Sequence, residues 1–497
     1  MAHHFANRIP TRLLMWQRVR EYAVPPSMIE TATARCAVGD WAGACAAARI
    51  DVDLDLRAVR DRHGTDLVSR LRADLRRLAP DLLRWHMPRI APDGRLRPGL
   101  TIPLAGYRSS GVTPLRLVVR TPPAWADAGQ RMSLALWEGS GDDGPEHYPH
   151  PHPDRRFRLD LHRHLWDSGR SGELARRCGA AGAPSMASPG RPRTSGRSVL
   201  PDLPDRPTHH DSPWAVTSWA AEAELLLRAE GRPRGAFTVR LGTRSRTALE
   251  LVAPDDSHAP TFRPLREALP PQEIAALPVL PEAAARVLPD LELLRAGLVP
   301  AERLHPLVAA ALAESGPAPV AGPAPEPGDP HRVECGDEVH RIALRDGVLT
   351  AIDHGPAQLR REALLVALGG PGLPCLRAID AVHRNPEALP AVRERLGHGD
   401  VAGALAVVEG LLGPGAVLRD GPLREELESA AARRIDHGLL RSGLVDAHPG
   451  AGAAGGGSAS GVGHPDAGHR LRLDRRTPRA RRGKLSSRAR PRTGLTC

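Results

Sequence analysis

Residues 37–46 read AVGDWAGACA and residues 397–406 read GHGDVAGALA, so Gly-Asp-x-Ala-Gly-Ala-x-Ala occurs once near each end of the chain. In both copies a helical run stops at a glycine, Gly39 or Gly399, which adopts a left-handed conformation without a Cβ clash. An aspartate follows, Asp40 or Asp400, suited to accept the orphan N–H groups of the next helix. The residues after it, Ala42, Gly43 and Ala44 or Ala402, Gly403 and Ala404, are small enough for two helices to approach closely. Each copy therefore predicts a tight helical hairpin.

The Gly-Asp turn resembles that of a tetratricopeptide repeat, but no period of about 34 residues follows either copy, and such solenoids need about three neighbours. A DNA-reading helix-turn-helix is disfavoured as well. Its second helix needs Arg, Asn or Gln to reach base edges, and Ala42–Ala48 offers only Ala, Gly and Cys.

Outward from the hairpins the hydrophobic period alternates between helix and strand, which predicts an α+β chain. Residues 1–27 read as an N-terminal extension and 28–112 as a helical region, with helices over Met28–Val38, Ala42–Arg49 and one long run from Leu56 to Trp85 closed by Pro80 and Pro88. Residues 113–166 read as a small antiparallel β region, since TPLRLVVRTPP, QRMSLALWEG and RRFRLDLHRHLW alternate apolar and polar residues. A linker is expected over 167–213, a helix plus β-hairpin region over 214–316, and a Pro-rich linker over 317–331. Residues 332–447 read as a β-hairpin turning at Asp346-Gly347, followed by helices. The last segment, 448–497, reads as a disordered basic tail.

Aromatics are 3% of residues against 41% hydrophobic, so the cores must be built from Ala, Leu and Val. Of the 68 basic residues only Lys484 is a lysine, and with 49 Gly and 50 Pro this composition points to a GC-rich coding sequence. From Ala451 onward ten arginines and Lys484 stand against Asp466 and Asp474, a net of +9, which leaves only +2 of the chain's +11 for the rest. The folded body is thus expected to be near neutral with no concentrated basic face. An out-of-frame ending in a GC-rich gene would produce a tail of the same composition. Six scattered cysteines without a C-x-x-C pair argue for a reducing compartment. No run approaches 18 apolar residues and the N-terminus lacks a signal-peptide core, so a cytoplasmic chain with no membrane partner is expected.

Signatures for catalysis and cofactors are missing: no G-x-S-x-G elbow, no phosphate loop and no dinucleotide loop occurs. The densest chemistry is EHYPHPHPDRRFRLDLHRH, where His147, His150, His152, His162 and His164 could gather round Zn2+ or Ni2+. His-Pro alternation turns successive rings apart, so surface histidines are the favoured reading and a metal-binding protein or enzyme is the alternative. GGPGLPC places Cys375 at a helix start with His383 downstream, which favours a buried thiol over a nucleophile. In the tail, Arg475, Arg476, Arg479, Arg481, Arg482 and Lys484 could hold nucleic-acid phosphates without reading sequence.

The stretch MWQRVREYAVPPSMIETATARCAVGDWAGACAAARIDVDLDLRAV, Met15 to Val59, together with LAPDLLRWHMPRIAPDGRLRPGLT, resembles a family of long streptomycete proteins without assigned catalytic activity. The likeness runs to about Arg441 and suggests Met15 as the natural start. It implies a non-enzymatic regulatory protein that influences expression of a thiopeptide (nosiheptide-type) resistance gene through DNA or a protein partner. It implies no cofactor and transfers no site residue.

Overall fold

The computed structural model of the chain describes residues 9–107, 114–139, 152–177, 213–242, 245–252, 259–265, 269–313, 332–335, 338–345, 348–368, 373–376, 379, 389–412, 417–418 and 420–442. The chain is α+β, built from short helices and small sheets. It divides into two compact units, Met1–Thr121 with Met132–Val320, and Pro122–Arg131 with Ala321–Cys497.

The first unit opens with α1 (Thr11–Tyr22), α2 (Pro26–Ala37) and α3 (Trp41–Ala47), then β1 (Ile50–Asp53), α4 (Leu56–His63), α5 (Thr65–Arg77) and α6 (Pro80–His86). The two-residue strands β2 (Arg89–Ile90) and β3 (Arg95–Leu96) pair, and β4 (Thr101–Tyr107), β5 (Leu115–Arg120) and β6 (Met132–Trp137) follow. The main sheet runs β1-β6-β5-β4; β5 and β6 pair antiparallel, as expected, while β4, from the region expected to be helical, adds antiparallel to β5, and β1 joins β6 in parallel with Ile50 opposite Met132.

Residues 28–112 are therefore not a helical region apart from a β region. Leu71, Leu75 and Leu82 of the helices share one core with Ile102, Leu104, Leu117 and Leu134 of the sheet. Alternation could not reveal these strands, because β1 has only four residues and β4 is buried on both faces, so that TIPLAGY reads as a continuous apolar run. The long helix expected from Leu56 to Trp85 is three helices. Gly64, at φ +86°, breaks the first junction. At the second, Leu78 and Ala79 are extended ahead of Pro80, which opens α6 instead of ending a helix.

Two further expectations are corrected. The N-terminal extension contains α1, whose Leu13, Met15 and Val19 are buried, so Met15 lies inside an ordered helix. RRFRLDLHRHLW is a chain of turns, with Leu161 N–H to Arg158 O, His162 N–H to Leu159 O and Leu165 N–H to His162 O each 3.1 Å. Its alternation arises from Arg158 clasping Asp160 two residues on (2.8 Å) while Phe157, Leu159, His162 and His164 turn inward. The expected linker also begins later, since Ser168–Arg177 forms helical turns.

In 214–316 the expected hairpin gains a third strand. Helix α7 (Trp219–Ala229) packs Trp219 on the antiparallel sheet of β7 (Gly235–Arg240), β8 (Arg246–Val252) and β9 (Thr261–Pro264), where it meets Phe262. Helices α8 (Pro289–Arg295) and α9 (Pro306–Ala313) return Leu293 and Val308 to the main core.

In the second unit β10 (Arg332–Cys335), β11 (Glu338–Arg345) and β12 (Val348–Ala351) form a meander in which Arg345 faces Val348, leaving the two-residue connection expected of Asp346-Gly347. Helices α10 (Pro356–Ala367), α11 (Leu389–Gly397), α12 (Val401–Leu412) and α13 (Pro422–Arg441) complete it around Val392, Leu396, Ala404 and Val408.

Both copies of the repeat form the predicted hairpin, α2–α3 and α11–α12. Gly39 and Gly399 take φ +79° and +82°, and Asp40 and Asp400 accept from the N–H of Gly43 (2.8 Å) and Gly403 (3.2 Å). The motif is longer than its shared letters. Arg35 and Arg395, each five residues before the aspartate, donate to its other oxygen at 3.0 and 2.9 Å. Among the described residues no helix is long and apolar enough to cross a membrane. The Pro-rich linker and the basic tail with Arg475, Arg476, Arg479, Arg481, Arg482 and Lys484 lie outside the described residues.

Candidate functional site: an arginine-lined cavity

A cavity of about 370 Å³ lies within the first unit, between α1, the end of α6, the turn segment 156–165, the end of β7 and residues 279–289. That volume accommodates a small organic ligand. Apolar lining comes from Met15, Trp16, Met87, Phe157, Leu159, Leu165 and Leu280. Eight arginines also line it: Arg12, Arg20, Arg89, Arg97, Arg156, Arg158, Arg240 and Arg286, against the single acidic residue Glu282. The expectation of a body without concentrated positive charge is thereby overturned. A net charge near zero sums over the whole surface and is blind to arginines that converge on one cavity while the carboxylates paired with them stand behind its wall.

Several of these arginines are held from behind. Arg20 donates to Asp290 (2.6 Å) and to the Trp85 carbonyl (2.7 Å), with its guanidinium 4.4 Å from the Trp85 ring centre, and Trp85 Nε1 in turn donates to Asp290 (3.0 Å). Arg12 pairs with Glu292, Arg156 with Asp154 (2.7 Å), and Arg158 with Asp160 (2.8 Å) and Glu230 (2.9 Å). These contacts fix the side chains and neutralise much of their charge.

Three others have no hydrogen-bonded carboxylate among the described residues, although Glu282 and Glu292 act on Arg286 from a distance. Arg89 is 5% exposed; its Nη2 donates to the carbonyl of Arg84 (2.9 Å), while its Nε is buried with no hydrogen-bond partner among the described residues. No carboxylate pairs with it among the described residues, and burial, followed by repulsion from Arg20, pushes its pKa down to about 9. Arg97 likewise has a buried Nε without a partner among the described residues. Arg286 stacks over Trp214 at 4.3 Å, and burial together with nearby Arg12 lowers its pKa. A buried guanidinium without a counter-ion is strongly disfavoured unless an anion completes the site.

His86 faces the same cavity. Its Nδ1 lies 3.1 Å from the carbonyl oxygens of Leu82 and Leu165, so Nδ1 carries the proton and donates. Nε2 is left as a buried acceptor with no partner among the described residues. Burial, only partly offset by Asp290, lowers the His86 pKa to about 4, so the ring is neutral at pH 7 and offers a lone pair to a hydroxyl or amide donor.

The histidines of the candidate metal cluster do not converge here. His147 and His150 lie outside the described residues, and His152 is an exposed residue 6.5 Å, ring to ring, from Trp137. His162 and His164 are buried, with His162 Nδ1 2.8 Å from the Arg158 carbonyl and its Nε2 3.2 Å from Glu222. Arg177 clamps Glu222 at 2.6 Å and stands 3.4 Å from His164, placing a fixed cation where a metal would be. Burial raises the Glu222 pKa, but hydrogen bonds from His162 and Arg177 prevail and hold it at about 2. Burial also drives His164 well below the ordinary histidine range, helped by His162 and Arg177. The pair anchors the turn segment to α7, and His164 contributes to the cavity wall.

None of the arginines of the cavity was singled out in the sequence, since the 67 arginines dilute any one of them. The one local signal is RWHMPRIAPDGRLR, where His86, Arg89 and Arg97 cluster around a turn. Comparison with family models, with curated proteins and with solved structures returns no match to this chain.

Proposed function

We propose that the chain is a non-enzymatic cytoplasmic regulatory protein whose first unit is a receptor for a small organic anion. The observation that carries the receptor reading is Arg89, a buried guanidinium facing a cavity with its Nε unpartnered among the described residues. A carboxylate or phosphate suits a wall that carries Arg89, Arg97 and Arg286, while Trp16 and Phe157 suit an apolar or aromatic body. The neutral His86 accepts from a donor group on the same ligand. The lining offers eight arginines beside one carboxylate, Glu282, and the neutral His86, a donor-rich set suited to holding an anion.

The test is a set of thermal melts and calorimetric titrations with inorganic phosphate, aryl phosphates and aryl carboxylates beside neutral isosteres. The acids are expected to raise Tm and the isosteres to leave it unchanged. Arg89→Met is expected to abolish that response while stabilising the ligand-free protein by about 1–3 kcal/mol, because it removes an uncompensated buried charge. No response to any anion, or an unchanged response in Arg89→Met, refutes the receptor.

The regulatory role in thiopeptide resistance, through DNA or a protein partner, is supported by the resemblance of Met15–Val59 alone. Transcripts of the resistance gene are expected to change on deletion of this gene and on Arg89→Met, and unchanged transcripts in the deletion strain count against it.

A further inference from the structure

A second concentration of chemistry lies in the other unit and owes nothing to the cavity. His340 on β11, His354 in the turn before α10 and Cys375 in the helical turn 374–376 come from three separate segments. Their ligand atoms all lie within 4.8 Å of one another, the one such group of three among the described residues. His340 Nδ1 stands 2.9 Å from His354 Nε2, with ring centres 4.4 Å apart. Cys375 is fully buried and His354 is 8% exposed.

The backbone holds this arrangement in place. Ile352 N–H donates to the Arg341 carbonyl at 3.1 Å, and the Arg341 N–H donates to Asp353 at 2.7 Å. The Arg341 guanidinium closes on the same carboxylate at 2.9 Å. The residues immediately beside the two histidines are thus clamped across the end of the β-meander, so His340 and His354 face one another without needing a ligand to order them.

We propose that His340, His354 and Cys375 form a transition-metal site, with Zn2+ as the fitting ion. Imidazole and thiolate are the donors Zn2+ prefers, and three protein ligands leave a fourth tetrahedral position for water or another group. Ligands on such an ion stand roughly 3.3–3.7 Å from one another, from bond lengths of about 2.0–2.3 Å. The two imidazole nitrogens, at 2.9 Å, stand closer than that and the group as a whole lies within 4.8 Å, so an ion would part the histidine pair and take the place of its hydrogen bond. Cys375 also belongs to the core with Ile379, Leu389 and Val392, and what sets it apart from a plain core thiol is that its sulfur converges with two imidazole nitrogens.

The full chain, stripped of metal with a chelator, is to be titrated with Co2+ and then Zn2+. One Co2+ per chain is expected, with a thiolate-to-cobalt charge-transfer band and tetrahedral visible bands, both lost on adding Zn2+. Cys375→Ser is expected to remove the charge-transfer band and His354→Gln to weaken metal binding by more than about 100-fold. Cys375 in the unaltered chain is expected to alkylate more slowly with Zn2+ present, as read by peptide mass mapping, a measurement that stands even if a variant fails to fold. The double variant His150→Ala/His152→Ala is expected to bind metal normally. Absence of a stoichiometric metal, a charge-transfer band that survives Cys375→Ser, or binding lost only in the His150/His152 variant overturns the site.

Discussion

The two hairpins share a motif and differ in what covers it. In α2–α3 the motif is on the surface: side chains of Arg35 and Asp40 are 57% and 36% exposed, and a Cβ at Gly39 would meet nothing within 4 Å. In α11–α12 it is a packing element: Asp400 is 4% exposed, and a Cβ at Gly399 would overlap the backbone of Gly129, part of the same unit. The same local chemistry is thus a turn in one place and a docking point in the other. Its local rules come from the chain and its energetic weight from the surroundings.

The sharpest way to break this contrast is at the two positive-φ glycines. Gly399→Ala must displace backbone as well as strain φ, and is expected to destabilise by about 2–5 kcal/mol in denaturant melts. Gly39→Ala strains φ alone, for about 1 kcal/mol. Equal losses would mean that contact with Gly129 contributes nothing. Next in size is the cap: Asp400→Ala removes the acceptor for Gly403 and leaves Arg395 facing a gap, for about 1–3 kcal/mol, whereas Asp40→Ala, open to water, should lower Tm by less.

Gly43→Ala and Gly403→Ala should narrow the difference. In both a Cβ would overlap the capping carboxylate, so each is expected to behave like loss of its own cap, with Gly403→Ala the larger. The smallest effect concerns acid. The Gly43 N–H and the Arg35 side chain lower the Asp40 pKa, so its stabilisation is full above the ordinary aspartate value of about 4 and fades as pH falls through the lower folded value. The Tm difference between the unaltered protein and Asp40→Asn should shrink below about pH 4. A constant difference down to pH 2 would detach the cap from its charge.

A larger pH effect belongs to the cavity. Unfolded His86 takes up a proton near pH 6.5, the folded ring only near pH 4, so stability should fall by roughly 2–3 kcal/mol as pH drops across that window. Replacing His86 by Phe is expected to flatten this arm of the profile.

What the sequence disclosed was local. Gly39, Asp40, Gly399 and Asp400 announced their turns because φ and capping depend on near neighbours. Leu115–Arg120 announced a strand because one of its faces is less deeply buried, and Met132–Trp137 because small Ser133 and Ala135 alternate with large Met132, Leu134 and Leu136, although both of its faces are covered. Thr101–Tyr107 did not, being covered on both faces, and Phe157–Trp166 misled because turns also alternate burial. The cavity was hidden for a different reason: Arg12, Arg89, Arg156, Arg240 and Arg286 are brought together only by tertiary packing. Cys375 was legible as a buried thiol, but its nearness to His340 and His354 depends on three segments meeting, and no spacing in the sequence encodes that.

The parallel pairing of Ile50–Asp53 with Met132–Ala135 has one more consequence. This short strand shields the outer rim of the sheet, whose peptide groups would otherwise be open to a stranger's backbone. Loss of the pairing along Ile50–Asp53 is expected to expose that rim and promote self-association, read by light scattering.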